Sequence, residues 1–169
     1  MSIKTPKKVD TPSAAFSAGK FLTFRLSEES YGIEVVAIRE IIRMQRITPV
    51  PQMPSHVRGV INLRGKVVPI LDLRVKFGLP VDDSSNRACM IVVDLLNKDG
   101  ASSVIGLVVD AVEEVISISE SDAEPSPDFG ASLINESCLG IAKLKSGVTT
   151  LLDIEKVVNR ELSEELADI

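Results

Sequence analysis

The feature that most constrains the fold of this chain is an internal repeat, made of two blocks that recur in the same order. Residues 32–42 read GIEVVAIREII, and residues 106–116 read GLVVDAVEEVI. Residues 59–73 read GVINLRGKVVPILDL, and residues 140–154 read GIAKLKSGVTTLLDI. Because blocks repeated in a fixed order indicate repeated structural units, the sequence predicts two copies of one small fold.

The residues that fill these blocks favour strands over helices. Aromatic residues make up only 4% of the 169 residues, so the core must be aliphatic. Val and Ile dominate the apolar segments, and β-branched side chains are enriched in strands. Each copy spans roughly 60 to 75 residues, the size of a five-stranded barrel, and barrel closure removes exposed strand edges. The sequence therefore predicts an all-β fold of two five-stranded β-barrels, with a groove between them that suits binding.

The predicted boundaries follow changes in composition along the chain. Residues 1–19 are rich in Pro, Ser, Thr, Lys and Ala, which predicts a disordered tail. The two barrel halves are predicted over approximately 20–80 and 88–154, on either side of a polar linker. A C-terminal α-helix is predicted over 154–169, because Asp153 can cap it and apolar residues then recur at steps of three and four.

Residues 34–44 fit two different periodicities. A helical face would contain Val35, Ile38, Ile41 and Ile42. Strand alternation would place on one face Ile38, Glu40, Ile42 and Met44. We favour one helical turn followed by a strand. The prolines that follow exclude regular structure over the next stretch, and they are Pro49, Pro51 and Pro54.

Residues that could carry catalysis are few and scattered. His56 is the only histidine, and the chain has neither a CxxC pair nor a glycine-rich phosphate-binding motif. Acidic pairs such as Glu113-Glu114 are better explained as surface charge. Cys89 and Cys138 are expected to be thiols in a reducing compartment rather than a disulfide. We therefore expect no enzymatic activity, no cofactor and no metal site.

Charge and hydropathy favour a protein-binding function. The formal net charge of −5 argues against nucleic-acid binding, which usually needs a basic face. No apolar stretch in the sequence approaches the ~18 residues of a membrane span. What remains is a module that binds other proteins.

Two kinds of residue recur in both copies and are predicted to be structural. Gly59 recurs as Gly140, and a glycine is expected where φ is positive or where another backbone comes close. Asp72 recurs as Asp153, and each follows an apolar run. We interpret both carboxylates as acceptors for backbone N–H groups at a turn or helix start.

Two arginines, in contrast, occur in one copy only. Leu139 stands at the position equivalent to Arg58, and Lys145 stands at the position equivalent to Arg64. A feature present in one copy is a candidate for a function of that copy, since a guanidinium can bind a carboxylate or an amide through two donors. The alternative, which has equal weight from the sequence, is that both arginines are surface residues paired with nearby acids.

Several of these segments together resemble the CheW family of bacterial chemotaxis coupling proteins. The resemblance rests on the segments YGI at 31–33, REI at 39–41, GVINLRG at 59–65 and VPILDLR at 68–74, followed by Phe77. It runs from about residue 21 to residue 158. It implies a CheW-like domain over 20–158, built from two intertwined SH3-like barrels without catalytic activity.

The resemblance also implies partners and a cellular location. Members of the family bridge the cytoplasmic tips of methyl-accepting chemoreceptors to the regulatory domain of the histidine kinase CheA. They are cytoplasmic, are recruited to receptor arrays at the inner membrane, and can self-associate there. For this chain we accordingly expect an adaptor that binds neither nucleic acid nor the membrane directly.

The family motif assigns site residues position by position. The receptor should bind in a groove lined by Ile38, Glu40, Ile41, Arg58, Gly59, Asn62 and Arg64. The kinase-binding set is Met44, Ile47, Val50 and Phe129, of which Phe129 belongs to a second, array-forming contact. Many members carry Lys at the position of Arg58, and some carry a basic residue at the position of Glu124, so the polarity of that second contact differs here.

Two alternatives remain open at this point. The chain could serve a chemosensory system other than swimming, such as pilus movement or second-messenger control. An enzyme that uses clustered acids is the other, and a metal titration or an activity screen would reveal it. An adaptor fused to a receiver domain is not expected, because residues 159–169 leave no room for that domain.

Overall fold

The computed structural model describes residues 18–84, 86–96, 100–125, 137–145 and 147–158. Within these residues, eleven strands form two mixed sheets. The strands are β1 (Gly19–Leu26), β2 (Glu29–Glu34), β3 (Ile38–Arg43), β4 (Val57–Leu63), β5 (Lys66–Asp72), β6 (Cys89–Leu96), β7 (Ser102–Val109), β8 (Ala111–Ile118), β9 (Ala123–Glu124), β10 (Cys138–Leu144) and β11 (Gly147–Leu152).

The two sheets have the same internal order when the sequence repeat is taken into account. The first sheet runs β8-β1-β2-β11-β10-β9, and the second runs β3-β6-β7-β5-β4. Strands β1 to β5 belong to the first repeat, and β6, β7, β8, β10 and β11 are their counterparts. Each sheet therefore joins the first two strands of one repeat to the last three strands of the other, so that the repeats are intertwined.

The strand register preserves this equivalence residue by residue. Gly32 on β2 lies between Thr23 of β1 and Leu151 of β11. Its counterpart Gly106 on β7 lies in the same way between Val92 of β6 and Ile70 of β5. The β10–β11 register shifts between Cys138 and Gly140, and the β4–β5 register shifts at the equivalent place, between Val57 and Gly59. The two repeats predicted from the sequence thus share the same pattern of hydrogen bonds between strands.

The core is divided in a way that explains the nearly continuous apolar runs. A large cluster draws side chains from both sheets, including Phe24 and Leu152 from one sheet and Leu107 from the other. Each sheet also has a small cluster of its own, which contains Phe21 in the first sheet and Ile70 in the second. The inner strands therefore bury both faces, which requires apolar residues at successive positions rather than strict alternation.

Helical segments follow two equivalent strands and begin at equivalent carboxylates. Helix α1 (Leu73–Lys76) follows β5, and the Asp72 side chain accepts a hydrogen bond from the Arg74 N–H at its start. Residues 154–158, here α2, follow β11, and Asp153 Oδ1 accepts from the Lys156 N–H at 3.3 Å. The prediction that both aspartates cap backbone N–H groups is confirmed.

The sequence-based fold prediction holds, with differences at the ends of elements. The mostly β fold is confirmed, as is the helical turn before a strand in residues 34–44, seen as a 3-10 helix (Val35–Ala37) and β3. After β8 the chain forms a 3-10 helix (Glu120–Asp122) and then β9, because Ala123 and Glu124 pair with β10. Residues 1–17 of the predicted tail, Phe129 and residues 159–169 of the predicted helix lie outside the described residues.

Candidate docking surface

The turn between β4 and β5 carries Arg64, the first of the two candidate arginines. Arg64 and Gly65 form a two-residue hairpin turn in which both residues have positive φ, 51° and 85°. The Asn62 side chain stabilises this turn, because its Oδ1 accepts a hydrogen bond of 2.8 Å from the Gly65 N–H. The guanidinium of Arg64 is exposed and forms an ion pair with Glu40 on β3. The hydrogen bond to Glu40 raises the pKa of Arg64.

Exposed apolar side chains accompany this ion pair. Ile41 on β3 is 45% exposed, and Val67 on β5 is 65% exposed. Val67 lies directly opposite Asn62 in the β4–β5 register. Ile38 differs from these residues, since it is half-buried and packs against the large core cluster. Of the predicted receptor set, the structure thus brings Glu40 and Arg64 into contact, and exposed Val67, which sequence reasoning omitted, lies opposite Asn62 next to the Arg64 turn.

Gly59 is buried on β4 and acts on the packing of the neighbouring segment through its backbone. Its φ is +138°, and a Cβ atom built on it would lie 2.1 Å from the carbonyl oxygen of Thr48. Thr48 and Val60 exchange backbone hydrogen bonds of 2.9 Å in both directions. The absence of a side chain at Gly59 thus allows the segment after β3 to pack against β4, which is what the sequence predicted for this glycine.

Arg58 is held by a buried carboxylate. Its Nη1 donates a hydrogen bond of 2.9 Å to Oδ2 of Asp72, which is completely buried, while the Arg58 side chain remains one-third exposed. Burial alone would raise the pKa of Asp72, but the hydrogen bonds and charges of Arg74 and Arg58 outweigh it and lower that pKa. Asp72 is therefore an anion that orients Arg58, in addition to being the cap that the sequence predicted.

The main partner of Asp72 is Arg74, a residue that sequence reasoning did not single out. The Arg74 side chain is 1% exposed and contacts Asp72 through two donors, Nε at 2.9 Å and Nη2 at 2.8 Å. Its Nη1 donates to Asp110 at 2.8 Å, at the corner between β7 and β8. The hydrogen bond to Asp72 is the largest influence on Arg74 and raises its pKa, so the guanidinium stays charged.

The predicted kinase-binding residues lie after β3. Met44 is 37% exposed, whereas Ile47 and Val50 are half-buried. Ile47 packs against the small core cluster of the second sheet, together with Ile42 and Leu63. In this segment Met44 is thus exposed, while Ile47 packs against the core and anchors the segment.

The described residues offer little for small-molecule chemistry. A cavity of about 220 Å³ lies near the β1–β2 turn and is lined by opposite charges that include Arg25, Arg87, Asp82 and Asp110. Typical ligand pockets are larger and mainly apolar, on the order of 300–1,000 Å³. In the described part of the chain no group of three or more His, Cys, Asp or Glu side chains is arranged to hold a metal ion. None of the helices described here is long and apolar enough to cross a membrane.

Comparison with known proteins decides the family. The family model of the CheW-like domain matches residues 20–162. The chain belongs to the CheW-like family. The chemotaxis protein CheW of Klebsiella aerogenes is 38% identical over 151 residues, which cover 88% of this chain and 84% of that protein. The CheW of Rhizobium meliloti is 30% identical over 145 residues, covering 86% of this chain and 90% of the other.

A solved structure agrees with the CheW-like assignment at the level of the fold. The crystal structure of the scaffolding protein TtCheW from Thermoanaerobacter tengcongensis superimposes with a TM-score of 0.69 at 34% identity. The match covers 80% of this chain and 88% of that structure. The family prediction is confirmed, and these relatives are described as chemotaxis and scaffolding proteins, as the predicted adaptor function requires.

Proposed function

We propose that this chemotaxis adaptor couples methyl-accepting chemoreceptors to the histidine kinase CheA and catalyses no reaction of its own. The observation that carries the proposal is the asymmetry of two equivalent repeats. The first repeat contains the Glu40–Arg64 pair, the Arg58–Asp72 pair and exposed Ile41. The second repeat has Leu139 and Lys145 in place of the arginines. One copy of the fold thus carries a specific docking chemistry that the other lacks.

The cytoplasmic tip of a receptor hairpin is the proposed occupant of this surface. Exposed Ile41 and Val67 supply apolar contact area, and the paired charges of Arg64 and Glu40 supply orientation. Arg58 keeps one-third of its side chain exposed for an acceptor on the receptor. The full proposed set is Ile38, Glu40, Ile41, Arg58, Gly59, Asn62 and Arg64, with Val67 added.

The regulatory domain of CheA is the proposed partner of the apolar segment after β3. Met44 gives an exposed anchor, and Ile47 and Val50 provide the half-buried base around it. Phe129 remains a prediction for a second contact in arrays. Because this segment follows β3 and the Arg64 turn joins β4 to β5, receptor and kinase would contact different segments of the chain and would bind at the same time.

The coupling would be thermodynamic. An adaptor that binds both partners lets a conformational bias of the receptor change the equilibrium between kinase states, by the free energy with which the two binding events are linked. The protein would thus reach receptor arrays at the inner membrane through the receptors themselves.

The test compares Arg64→Glu with Lys145→Glu, which is the same charge reversal at the equivalent turn of the second repeat. Arg64→Glu places two carboxylates together, and like charges at an interface cost several kcal/mol. We expect at least about a tenfold loss of affinity for a receptor hairpin fragment, since tenfold corresponds to about 1.4 kcal/mol. Affinity for the CheA regulatory domain should change less than about twofold. Calorimetric titration measures both.

Lys145→Glu is the control for Arg64→Glu. Lys145→Glu should leave both affinities within about twofold of the wild type. Circular dichroism confirms that each variant is folded. Equal losses for receptor and kinase in a folded Arg64→Glu protein would show that the surface is not a receptor site, as would an equal effect of Lys145→Glu.

A further inference from the structure

Arg74 and its partner Asp72 are the two charged side chains in the described residues that are almost completely buried. A buried charge is costly unless it is paired and hydrogen-bonded. Arg74 meets this condition with contacts to three carboxylates, which are Asp72 and Asp110 at 2.8 Å and Asp83 at 3.3 Å. Because three carboxylates surround this one guanidinium, we asked what Arg74 orders in the structure.

The carboxylates around Arg74 come from distant parts of the chain. Asp72 ends β5, Asp83 lies in the linker before β6, and Asp110 forms the corner between β7 and β8. Asp110 also accepts a hydrogen bond of 2.6 Å from the Ser27 N–H, at the turn between β1 and β2. Through these contacts Arg74 connects the second sheet to a turn of the first sheet.

Asp72, held by Arg74, also forms a hydrogen bond with Arg58. The same oxygen, Oδ2, accepts from Nη2 of Arg74 at 2.8 Å and from Nη1 of Arg58 at 2.9 Å. The other oxygen accepts from the N–H and Nε of Arg74. Arg74 donates three of these four bonds, so it fixes where the carboxylate lies, and the carboxylate fixes the guanidinium of Arg58.

The second repeat shows that the backbone does not need this arrangement. Asp153 occupies the place of Asp72, and Glu155, which is exposed, occupies the place of Arg74. The equivalent strand and helix start nevertheless form there, with an ordinary cap at Asp153. A buried arginine is therefore a feature of the repeat that carries the docking surface.

We propose that Arg74 is a positioning residue for receptor docking, which acts through Asp72 to hold Arg58 in the orientation that presents its outward donors to a carboxylate or carbonyl group of the receptor. This inference rests on the proposed function, because it assumes that Arg58 contacts the receptor. Arg74 itself, at 1% exposure, touches no partner.

The test uses Arg74→Lys, which keeps the charge but cannot bind both oxygens of Asp72 and Asp110 together. The matched control is Arg25→Lys, because the Arg25 side chain also pairs with an acid, Glu113, and its hydrogen bond goes to the Glu28 carbonyl rather than to Asp72. The first measurement needs no partner: NMR relaxation of the Arg58 side-chain Nε–Hε group in the full chain. We expect this group to become mobile in Arg74→Lys and to stay ordered in Arg25→Lys.

The second measurement is a double-mutant cycle with a receptor hairpin fragment. Arg74→Lys should weaken binding about tenfold in the wild-type background, the size expected for losing one charged hydrogen bond. In the Arg58→Ala background it should change receptor affinity less than about twofold. Affinity for the CheA regulatory domain should stay within about twofold throughout.

The outcomes separate this inference from the proposed function. Equal losses in both backgrounds, or an Arg58 group that stays ordered in Arg74→Lys, would overturn the positioning role. A wild-type chain that does not bind the receptor fragment would overturn receptor docking, while the NMR measurement would still decide whether Arg74 orders Arg58. If Arg74→Lys does not fold, Asp110→Asn replaces it, since it removes one anchor of Arg74 and leaves Asp72 in place; the same two criteria apply.

Discussion

The starts of α1 and α2 are equivalent places in the two repeats, yet they use their aspartates differently. Asp72 is completely buried between two guanidinium groups, whereas Asp153 is half-buried and caps a helix beside exposed Glu155. Both aspartates accept a backbone N–H at a helix start. The comparison teaches that capping is what the fold requires, and that the buried ion pairs were added in one repeat only.

The largest expected difference between the two sites is in stability. Asp72→Asn keeps the size and capping ability of the side chain but removes the charge that balances buried Arg74. Removing one partner of a buried ion pair costs about 3–5 kcal/mol, and Arg74 would keep only Asp110 and the exposed Asp83 as counter-charges. Asp153→Asn should change stability by less than about 0.5 kcal/mol, since Asn caps about as well as Asp.

Urea unfolding of both variants measures these changes in the free energy of unfolding. Losses that agree to within about 1 kcal/mol would mean that the two aspartates are energetically equivalent despite their surroundings.

The next difference concerns the paired glycines. A Cβ atom at Gly59 would lie 2.1 Å from the Thr48 oxygen on a backbone with φ of +138°, while at Gly140 it would lie 2.9 Å from the Glu124 oxygen. Strain and overpacking should make Gly59→Ala cost about 3 kcal/mol. Gly140→Ala should cost about 1 kcal/mol, because a small shift of β9 relieves the contact. Thermal and urea unfolding compare them, and a reversed order would contradict the assigned packing.

The smallest expected effect is a difference in acid response. The folded-state pKa of Asp72 is lowered, so its contribution to stability is complete above the unfolded-state value of about 4 and is lost as pH falls through the lower folded value. Glu34 shows the opposite shift, because burial, followed by the charges of Asp153 and Glu155, raises its pKa. Ionised Glu34 therefore costs stability above its raised pKa, and the cost disappears as pH falls below the unfolded-state value of about 4.3.

The Glu34→Gln variant tests whether ionised Glu34 lowers the free energy of unfolding. It should stabilise the protein at pH 7 by about 0.5 kcal/mol or less, since solvent screens a partly exposed carboxylate. At pH 3 it should have no effect, because the wild-type side chain is then protonated in both states. Urea unfolding at the two pH values measures the difference. Destabilisation at pH 7 would show that Glu34 makes favourable contacts as an anion.

Much of the fold could be predicted because it depends on local pattern. Apolar runs rich in Val and Ile mark the strands, and a short helical turn precedes β3 as the sequence predicted. The conflict between two periodicities in residues 34–44 arose because both elements are present. Gly59 was predicted correctly because a glycine repeated at the same place indicates a backbone constraint, which the Thr48 contact supplies.

The site could be predicted only where the family motif points to it. Glu40 and Arg64 were both named, and the structure brings them together as an ion pair. Val67 was missed because an exposed valine in a strand looks like a core residue in sequence. Arg74 was missed because it follows an apolar run as one charge among many, and Asp110 and Asp83 lie far from it in the chain.

The sequence by itself determined that two equivalent β units form, where their strands lie, and which glycines and aspartates the backbone requires. These properties follow from periodicity, propensity and capping, which act over a few residues. Only the tertiary structure decided that an arginine is buried at the end of β5 and not at the equivalent end of β11. The reason is that burial of a charge depends on acceptors from other parts of the chain. It also decided that each sheet takes strands from both repeats, since hydrogen bonds between strands form equally well within or between copies.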